Sequence, residues 1–213
     1  MKGARTLLVL GGEPPAKNLL ALHYEEADHC IAVDSGLLAF RNADLEPEVL
    51  IGDLDSCDLD EDRETAFPSL RVVRLDDQET TDFEKALLWV SEETETNELI
   101  ILGGTGKRSD HFLSNLLIAC GYDETSSLTF DGEGEWIKRV TSAAPLRLVG
   151  RAGVTLSLIP LTPCSSVETS GLKWNLSRET LAVGHKFSQS NEVLSDLVTV
   201  SCEKGILFAI LQK

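Results

Sequence analysis

Short apolar runs bounded by charges, glycine or proline recur through the first 128 residues, with helical patterns between them. Residues 6–10, 30–33, 49–52, 70–74 and 99–102 read as strands. Residues 16–26, 36–42 and 81–93 read as helices. A fourth helix, over residues 109–121, carries Phe112, Leu113, Leu116, Leu117 and Cys120 on one face. Strands that alternate with helices imply parallel pairing with helices on the sheet faces. The second half has a different grammar. Residues 139–145, 146–149, 154–160, 166–169, 172–174, 183–185 and 196–210 read as strands, punctuated by Gly, Pro, Ser and Asn, and no long amphipathic helix follows. That is the pattern of an antiparallel sandwich or barrel. The boundary is expected within residues 122–135, with Asp131-Gly132-Glu133-Gly134 as a turn. The pattern thus predicts an α/β N-terminal domain with a mostly parallel sheet over residues 1–130 and an all-β C-terminal sandwich over 131–213. No internal repeat or low-complexity segment interrupts it.

Composition narrows the picture. A chain of 213 residues with 42% hydrophobic side chains can bury a core, as one large domain or two small ones. No apolar run reaches membrane-spanning length. Lys2 and Arg5 precede a short apolar stretch, but Gly11-Gly12 follows at once, which reads as a strand ending in a turn rather than a signal peptide. A cytoplasmic location is expected. The net charge of -16 argues against nucleic acid and anionic membranes as partners. A bound nucleotide would need a local source of positive charge, which a metal held by carboxylates would supply. The five cysteines (Cys30, Cys57, Cys120, Cys164, Cys202) are scattered and read as ordinary buried thiols rather than as a zinc or disulfide framework.

Three acidic or glycine-rich stretches carry candidate chemistry. In Ile51-Gly52-Asp53-Leu54-Asp55-Ser56, an apolar strand ends in glycine and offers two carboxylates two residues apart. They read either as ligands for a hard divalent ion at the C-terminal edge of a parallel sheet or as an Asp/Ser-rich turn. In Asp76-Asp77-Gln78-Glu79-Thr80-Thr81-Asp82-Phe83-Glu84-Lys85, Thr81 and Glu84 fit a capping box. Asp82 complements a helix N-terminus. Lys85, three residues on, is placed to pair with Asp82 or to reach a phosphate. In Gly103-Gly104-Thr105-Gly106-Lys107-Arg108-Ser109-Asp110-His111, a strand runs through a glycine-rich loop into a helix, where backbone amides can approach a phosphate. Ser109 or Asp110 would cap that helix. His111 reads first as a packed histidine and second as a base. Trp174, on residue type alone, reads as a buried sandwich aromatic.

Taken in order, these segments resemble the thiamine pyrophosphokinase family. The resemblance rests on Ala32-Val33-Asp34-Ser35-Gly36, on Gly52-Asp53-Leu54-Asp55-Ser56, on Asp77-Gln78 with Thr81-Asp82-Phe83-Glu84-Lys85-Ala86-Leu87, and on the Gly103–His111 stretch with Asn115 beyond it. In the second half it rests on Ser157-Leu158-Ile159-Pro160-Leu161, Gly171-Leu172-Lys173-Trp174-Asn175-Leu176 and Ser190-Asn191-Glu192. Ser35 stands where the family has glycine and Leu54 where it has an aromatic. Lys107 replaces a glycine, which restricts the loop if φ > 0 is required there. The resemblance implies an ATP- and magnesium-dependent transfer of diphosphate to the hydroxyl of thiamine by a homodimer with its active site at the dimer interface. By resemblance, Asp53, Asp55, Asp77 and Asp82 surround magnesium and the ATP phosphates, with Lys85 and Asp110 in the catalytic set. Asp34, Ser35, Gly36, Gly103, Thr105, Gly106, Arg108 and His111 would contact ATP. Gln78, Trp174, Ser190 and Asn191 would hold thiamine. A diphosphokinase acting on a hydroxymethyl pterin, and a non-catalytic thiamine- or nucleotide-binding module, are the alternative readings.

Overall fold

Apolar runs that lack alternation suit strands covered on both faces, and the first unit of the chain is built on such runs. The computed structural model describes residues 3–52, 67–74 and 79–213; Asp53, Asp55, Cys57, Asp77 and Gln78 lie outside the described residues. The chain runs β1 (Ala4–Val9), α1 (Lys17–Glu26), β2 (His29–Val33), a 3-10 turn (Asp34–Gly36), α2 (Leu37–Ala43), β3 (Val49–Ile51), β4 (Arg71–Val73), α3 (Asp82–Glu93), β5 (Thr96–Leu102), α4 (Ser109–Gly121) and β6 (Ser127–Asp131). It continues as β7 (Glu135–Val140), β8 (Leu146–Val149), β9 (Thr155–Pro160), β10 (Cys164–Ser170), β11 (Glu179–Leu181), β12 (Ser188–Glu192), β13 (Leu197–Ser201) and β14 (Leu207–Gln212).

Two compact units divide the chain. The first comprises Met1–Ile118 with Phe130–Gly132, and the second comprises Ala119–Thr129 with Glu133–Lys213. Strand β6 contributes to both.

In the first unit the strand order is β5-β1-β2-β3-β4, and every neighbouring pair is parallel. Leu7, Leu8 and Val9 of β1 have no exposed surface. On one face Leu7, Val9 and Leu50 pack with Leu20 of α1 and with Leu37 and Phe40 of α2. Tyr24 meets Phe40 edge-on at 6.3 Å. Helix α3 starts with the expected capping box: Thr81 Oγ1 accepts from Glu84 N–H at 3.2 Å, and the Glu84 carboxylate accepts from Thr81 N–H at 2.7 Å. From β1 the chain proceeds outward through β2, β3 and β4, then returns to lay β5 on the other side of β1. The strand order thus reverses between β1 and β5, and a crevice opens at the carboxyl ends of these strands.

In the second unit two antiparallel sheets, β12-β9-β14-β7 and β11-β10-β13-β8, share one core. Leu156, Leu158, Leu207 and Leu211 come from the first sheet, and Leu146, Val167, Val198 and Val200 from the second. This is the sandwich the sequence pattern predicts, but its strands differ in detail. Residues 183–185 form a turn between the bridged pair Ala182 and Lys186. Leu172 makes a single bridge to Val193 rather than opening a strand. The run 196–210 is two strands, β13 and β14, separated by a turn at Gly205, whose φ of 93° is suited to glycine. Strands β6, β11 and β12 have no counterpart in the hydrophobic pattern, and β7 begins four residues before the run that starts at 139. Cys30, Cys120, Cys164 and Cys202 are free thiols. Burial pushes Cys30 and Cys164 up to about 12, so neither is reactive at neutral pH.

Candidate active site

A cavity of about 950 Å³ lies in the first unit, at the carboxyl ends of the parallel strands. Its walls come from the ends of β1 (Leu10, Gly11, Gly12), β2 (Val33, Asp34, Ser35) and β5 (Gly103, Gly104, Thr105, Gly106), from Arg74 after β4, and from the first turns of α3 and α4. The loops after β1 and β5 are stitched together by backbone bonds: Leu10 N–H to Leu102 O at 2.8 Å, Gly12 N–H to Gly103 O at 2.9 Å and Glu13 N–H to Thr105 O at 3.1 Å. Glycine is required where they touch. A Cβ on Gly103, at φ 66°, would stand 2.3 Å from Leu10 O. Asn115 of α4 holds the β5 loop from behind, its Nδ2 donating to Gly104 O at 2.9 Å.

Of the residues that the sequence pattern nominated, Asp34, Ser35, Asp82, Lys85, Gly103, Thr105, Gly106, Asp110 and His111 line this one cavity. Gly36 is buried, and a Cβ there would stand 1.9 Å from Val9 O, so it lets the chain turn tightly under the site. Asp34 has φ 48°, a left-handed conformation that costs about 1 kcal/mol or more for a non-glycine residue and clusters at functional sites. His111 is exposed and faces the cavity, so the packed-histidine reading does not hold. Lys107 does adopt φ > 0, at 50°, in spite of its side chain. The Gly11-Gly12 turn and Arg74 belong to the site but carried no chemical signal. The only cue was a glycine pair directly after an apolar strand.

The charged groups are held in pairs. Lys85 is 9% exposed, and its Nζ lies 3.1 Å from Asp82 Oδ1 at the start of α3. Arg108 grips Asp110 with two bonds, Nε to Oδ1 at 3.1 Å and Nη2 to Oδ2 at 2.5 Å. That fork holds the Asp110 carboxyl at about 2, well below the ordinary carboxylate range. A carboxylate so weakly basic is a poor proton acceptor at neutral pH. Among the described residues no three His, Cys, Asp or Glu side chains converge as a metal cage. Three of the four nominated aspartates lie outside those residues.

In the second unit, Trp174 is 59% exposed, which overturns its reading as a sandwich-core aromatic. The Lys173 ammonium lies 4.9 Å from the centre of its ring and 2.9 Å from Glu192. Asn191 is 2% exposed. Its Oδ1 accepts from Trp174 N–H at 3.1 Å and from Glu192 N–H at 2.9 Å, and its Nδ2 donates to Trp174 O at 2.7 Å. Asn191 thus clamps the backbone of Trp174. Ser190 is exposed at φ 56°, and its N–H bonds Ser157 Oγ at 2.9 Å.

A cavity lined by a glycine-rich loop and charged side chains at the carboxyl edge of a parallel sheet defines the first unit as an α/β fold of the nucleotide-binding type, here followed by a β-sandwich. A model of the thiamin pyrophosphokinase catalytic domain matches residues 20–129, a model of that family's vitamin B1 binding domain matches residues 146–207, and the chain belongs to the thiamin pyrophosphokinase family. It is accordingly an enzyme, a transferase of the kinase class. The thiamine pyrophosphokinase of Bacillus subtilis is 29% identical over 213 residues, covering 97% of this chain and 98% of that protein. Thiamin pyrophosphokinase 1 of Caenorhabditis elegans is 27% identical and covers 97% of this chain and 89% of its own. The crystal structure of thiamin pyrophosphokinase from Geobacillus thermodenitrificans superposes with a TM-score of 0.83 at 25% identity, covering 98% of this chain and 97% of that one.

Proposed function

We propose that the chain transfers the diphosphate group of ATP to the hydroxyl of thiamine, giving thiamine diphosphate and AMP. The observation that carries this reading is one cavity lined by the Asp34, Asp82–Lys85, Gly103–Gly106 and Asp110–His111 groups together. In this reading the hydroxyl oxygen bonds the β-phosphorus, and the bond from that phosphorus to the oxygen bridging to the α-phosphate breaks. AMP leaves with that oxygen. Catalysis is then mostly positioning and neutralisation of charge on phosphoryl oxygens. Backbone amides of the β5 loop and the N-terminus of α4 bind phosphate. Arg108, oriented by Asp110, and Lys85, oriented by Asp82, supply cationic hydrogen bonds. The hydroxyl proton passes to a carboxylate, and the grip of Arg108 on Asp110 favours Asp82 for that part.

Carboxylate oxygens are hard donors of the type magnesium takes. Asp82 fits such a set, and the reading completes it with Asp53, Asp55 and Asp77. A bound magnesium ion would supply the largest single charge term on the phosphates. Gln78, Trp174 and Ser190 hold thiamine, whose flat cationic rings suit the face of an exposed tryptophan. A cytoplasmic homodimer completes the proposal; light scattering is expected to give the mass of two chains, and the mass of one chain would overturn the dimer.

Chromatography of products from ATP, magnesium and thiamine tests the reaction. AMP with thiamine diphosphate is the expected outcome; ADP or free phosphate overturns it, and turnover of a hydroxymethyl pterin in preference to thiamine changes the acceptor. Asn191 offers a second test. With every polar atom engaged on the backbone, it acts through Trp174. Asn191→Ala is expected to raise KM for thiamine about tenfold, a shift of about 1.4 kcal/mol, with KM for ATP and kcat much less affected. An unchanged thiamine KM would remove Trp174 and its clamp from the acceptor site.

A further inference from the structure

The glycine-rich loop after β5 enters the left-handed region at Gly103 (φ 66°) and Gly106 (φ 78°), and again at Lys107 (φ 50°). Lysine has no short polar side chain to ease that conformation, as asparagine has. A residue held there, directly after the cavity-lining Gly106, calls for a compensating role. The Lys107 side chain is exposed, and its Nζ rests 3.4 Å from the Gly11 carbonyl oxygen on the facing β1 loop, which lines the cavity. A single neutral acceptor at that distance holds an ammonium weakly. Two other cations of the region are already matched, the buried Lys85 by Asp82 and the exposed Arg108 by Asp110. Arg74 and Lys107 make no ion pair among the described residues. Lys85 and Arg108 each share their charge with a carboxylate, so in a chain of net charge -16 a cation without such a partner adds most to the attraction of a triphosphate tail.

We propose that Lys107 is a donor-specificity residue, whose ammonium leaves Gly11 O and contacts the β- and γ-phosphates of the bound nucleoside triphosphate. This rests on the reading of the cavity as the ATP site. It assigns Lys107 a task for which a glycine has no group, and it explains why the loop tolerates a side chain at φ > 0.

The test is calorimetric titration of the full chain with magnesium ATP and, separately, with AMP. Lys107→Met and Lys107→Gly are expected to weaken ATP binding about tenfold at low salt and to leave AMP binding within about twofold. Lys107→Arg should restore most of the ATP affinity. Lys107→Gly should also melt about 2–4 °C above Lys107→Met, because glycine relieves the left-handed strain while both lack the charge. That difference separates loop shape from phosphate contact. ATP affinity within about twofold of wild type in Lys107→Met overturns the proposal, as does an equal loss of AMP and ATP binding. A wild-type protein that binds ATP but releases no AMP with thiamine overturns the transfer reading instead, and the affinities of the variants still decide the role of Lys107.

Discussion

Asp82→Asn is expected to lower kcat for AMP release about a thousandfold, equivalent to about 4 kcal/mol of transition-state stabilisation, while the protein stays folded. The expectation follows from where the carboxylate sits. Asp82 is the first residue of α3, it lines the cavity, and its side chain is 32% exposed beside a Lys85 side chain that is 10% exposed. Two roles compete for it. As a purely structural group it complements the helix N-terminus and pairs with Lys85. The dipole term is worth about 0.3–1 kcal/mol. Asparagine keeps the shape and can still accept a bond from Lys85, so this structural role predicts a small loss of stability and little loss of rate. As a member of the magnesium and phosphate set, Asp82 contributes charge that asparagine lacks. The catalytic role therefore predicts a large fall in kcat and a higher magnesium concentration for half-maximal rate, with Tm shifted by only about 2–4 °C. Turnover within about tenfold of wild type at saturating magnesium would remove Asp82 from the catalytic set.

The first unit was legible in the sequence because its strands are buried on both faces. Residues 6–10, 30–33 and 99–102 are continuous apolar runs that end in Gly, Asp or Ser, and those ends are the loops that line the cavity. Resemblance to a known family picked the same loops. What the pattern missed in the site was backbone: Gly11 and Gly12 act through close approach, which leaves no chemical mark on residue type. Asn191 was readable only as a member of a motif. Its work on the Trp174 backbone depends on a residue 17 positions away. In the second unit the misplacements have physical causes. Val183, in the turn, and Phe187, just after it, are apolar yet 68% and 51% exposed, so hydropathy placed a strand where the chain reverses. The run through 196–210 hid its break because Cys202 and Ile206 are buried on both sides of Gly205. The start of β7 was missed because Glu135 and Lys138 flank Trp136 and Ile137, and so short an apolar pair between charges reads as surface.

Arg139 is the residue that hydropathy misreads most, and its replacement is expected to give the largest loss of stability. It has no exposed surface. Its Nη1 donates to Ala119 O at 2.6 Å and Tyr122 O at 2.8 Å, and its Nη2 donates to Ser126 O at 2.9 Å and to Asp123 O. The guanidinium also lies 5.9 Å from the centre of the Tyr122 ring. The last carbonyls of a helix have no partner within the helix. Here one fork satisfies the end of α4 and the segment that follows it. Burial lowers the Arg139 pKa from its ordinary value, and the carbonyl oxygens offset that desolvation without a carboxylate in contact. Arg139→Met removes every donor while keeping much of the volume, leaving four carbonyls without it. The expected loss is about 3–5 kcal/mol, or roughly 10 °C in Tm for a chain of this size. Arg139→Lys retains the charge but brings one nitrogen where the fork had two, so it should fall between wild type and Arg139→Met. Hydrogen exchange should then report the loss first in the amides of residues 119–129. If Arg139→Met melts within about 2 °C of wild type, the carbonyl cluster is satisfied by water, and the buried fork is not what fixes the end of α4.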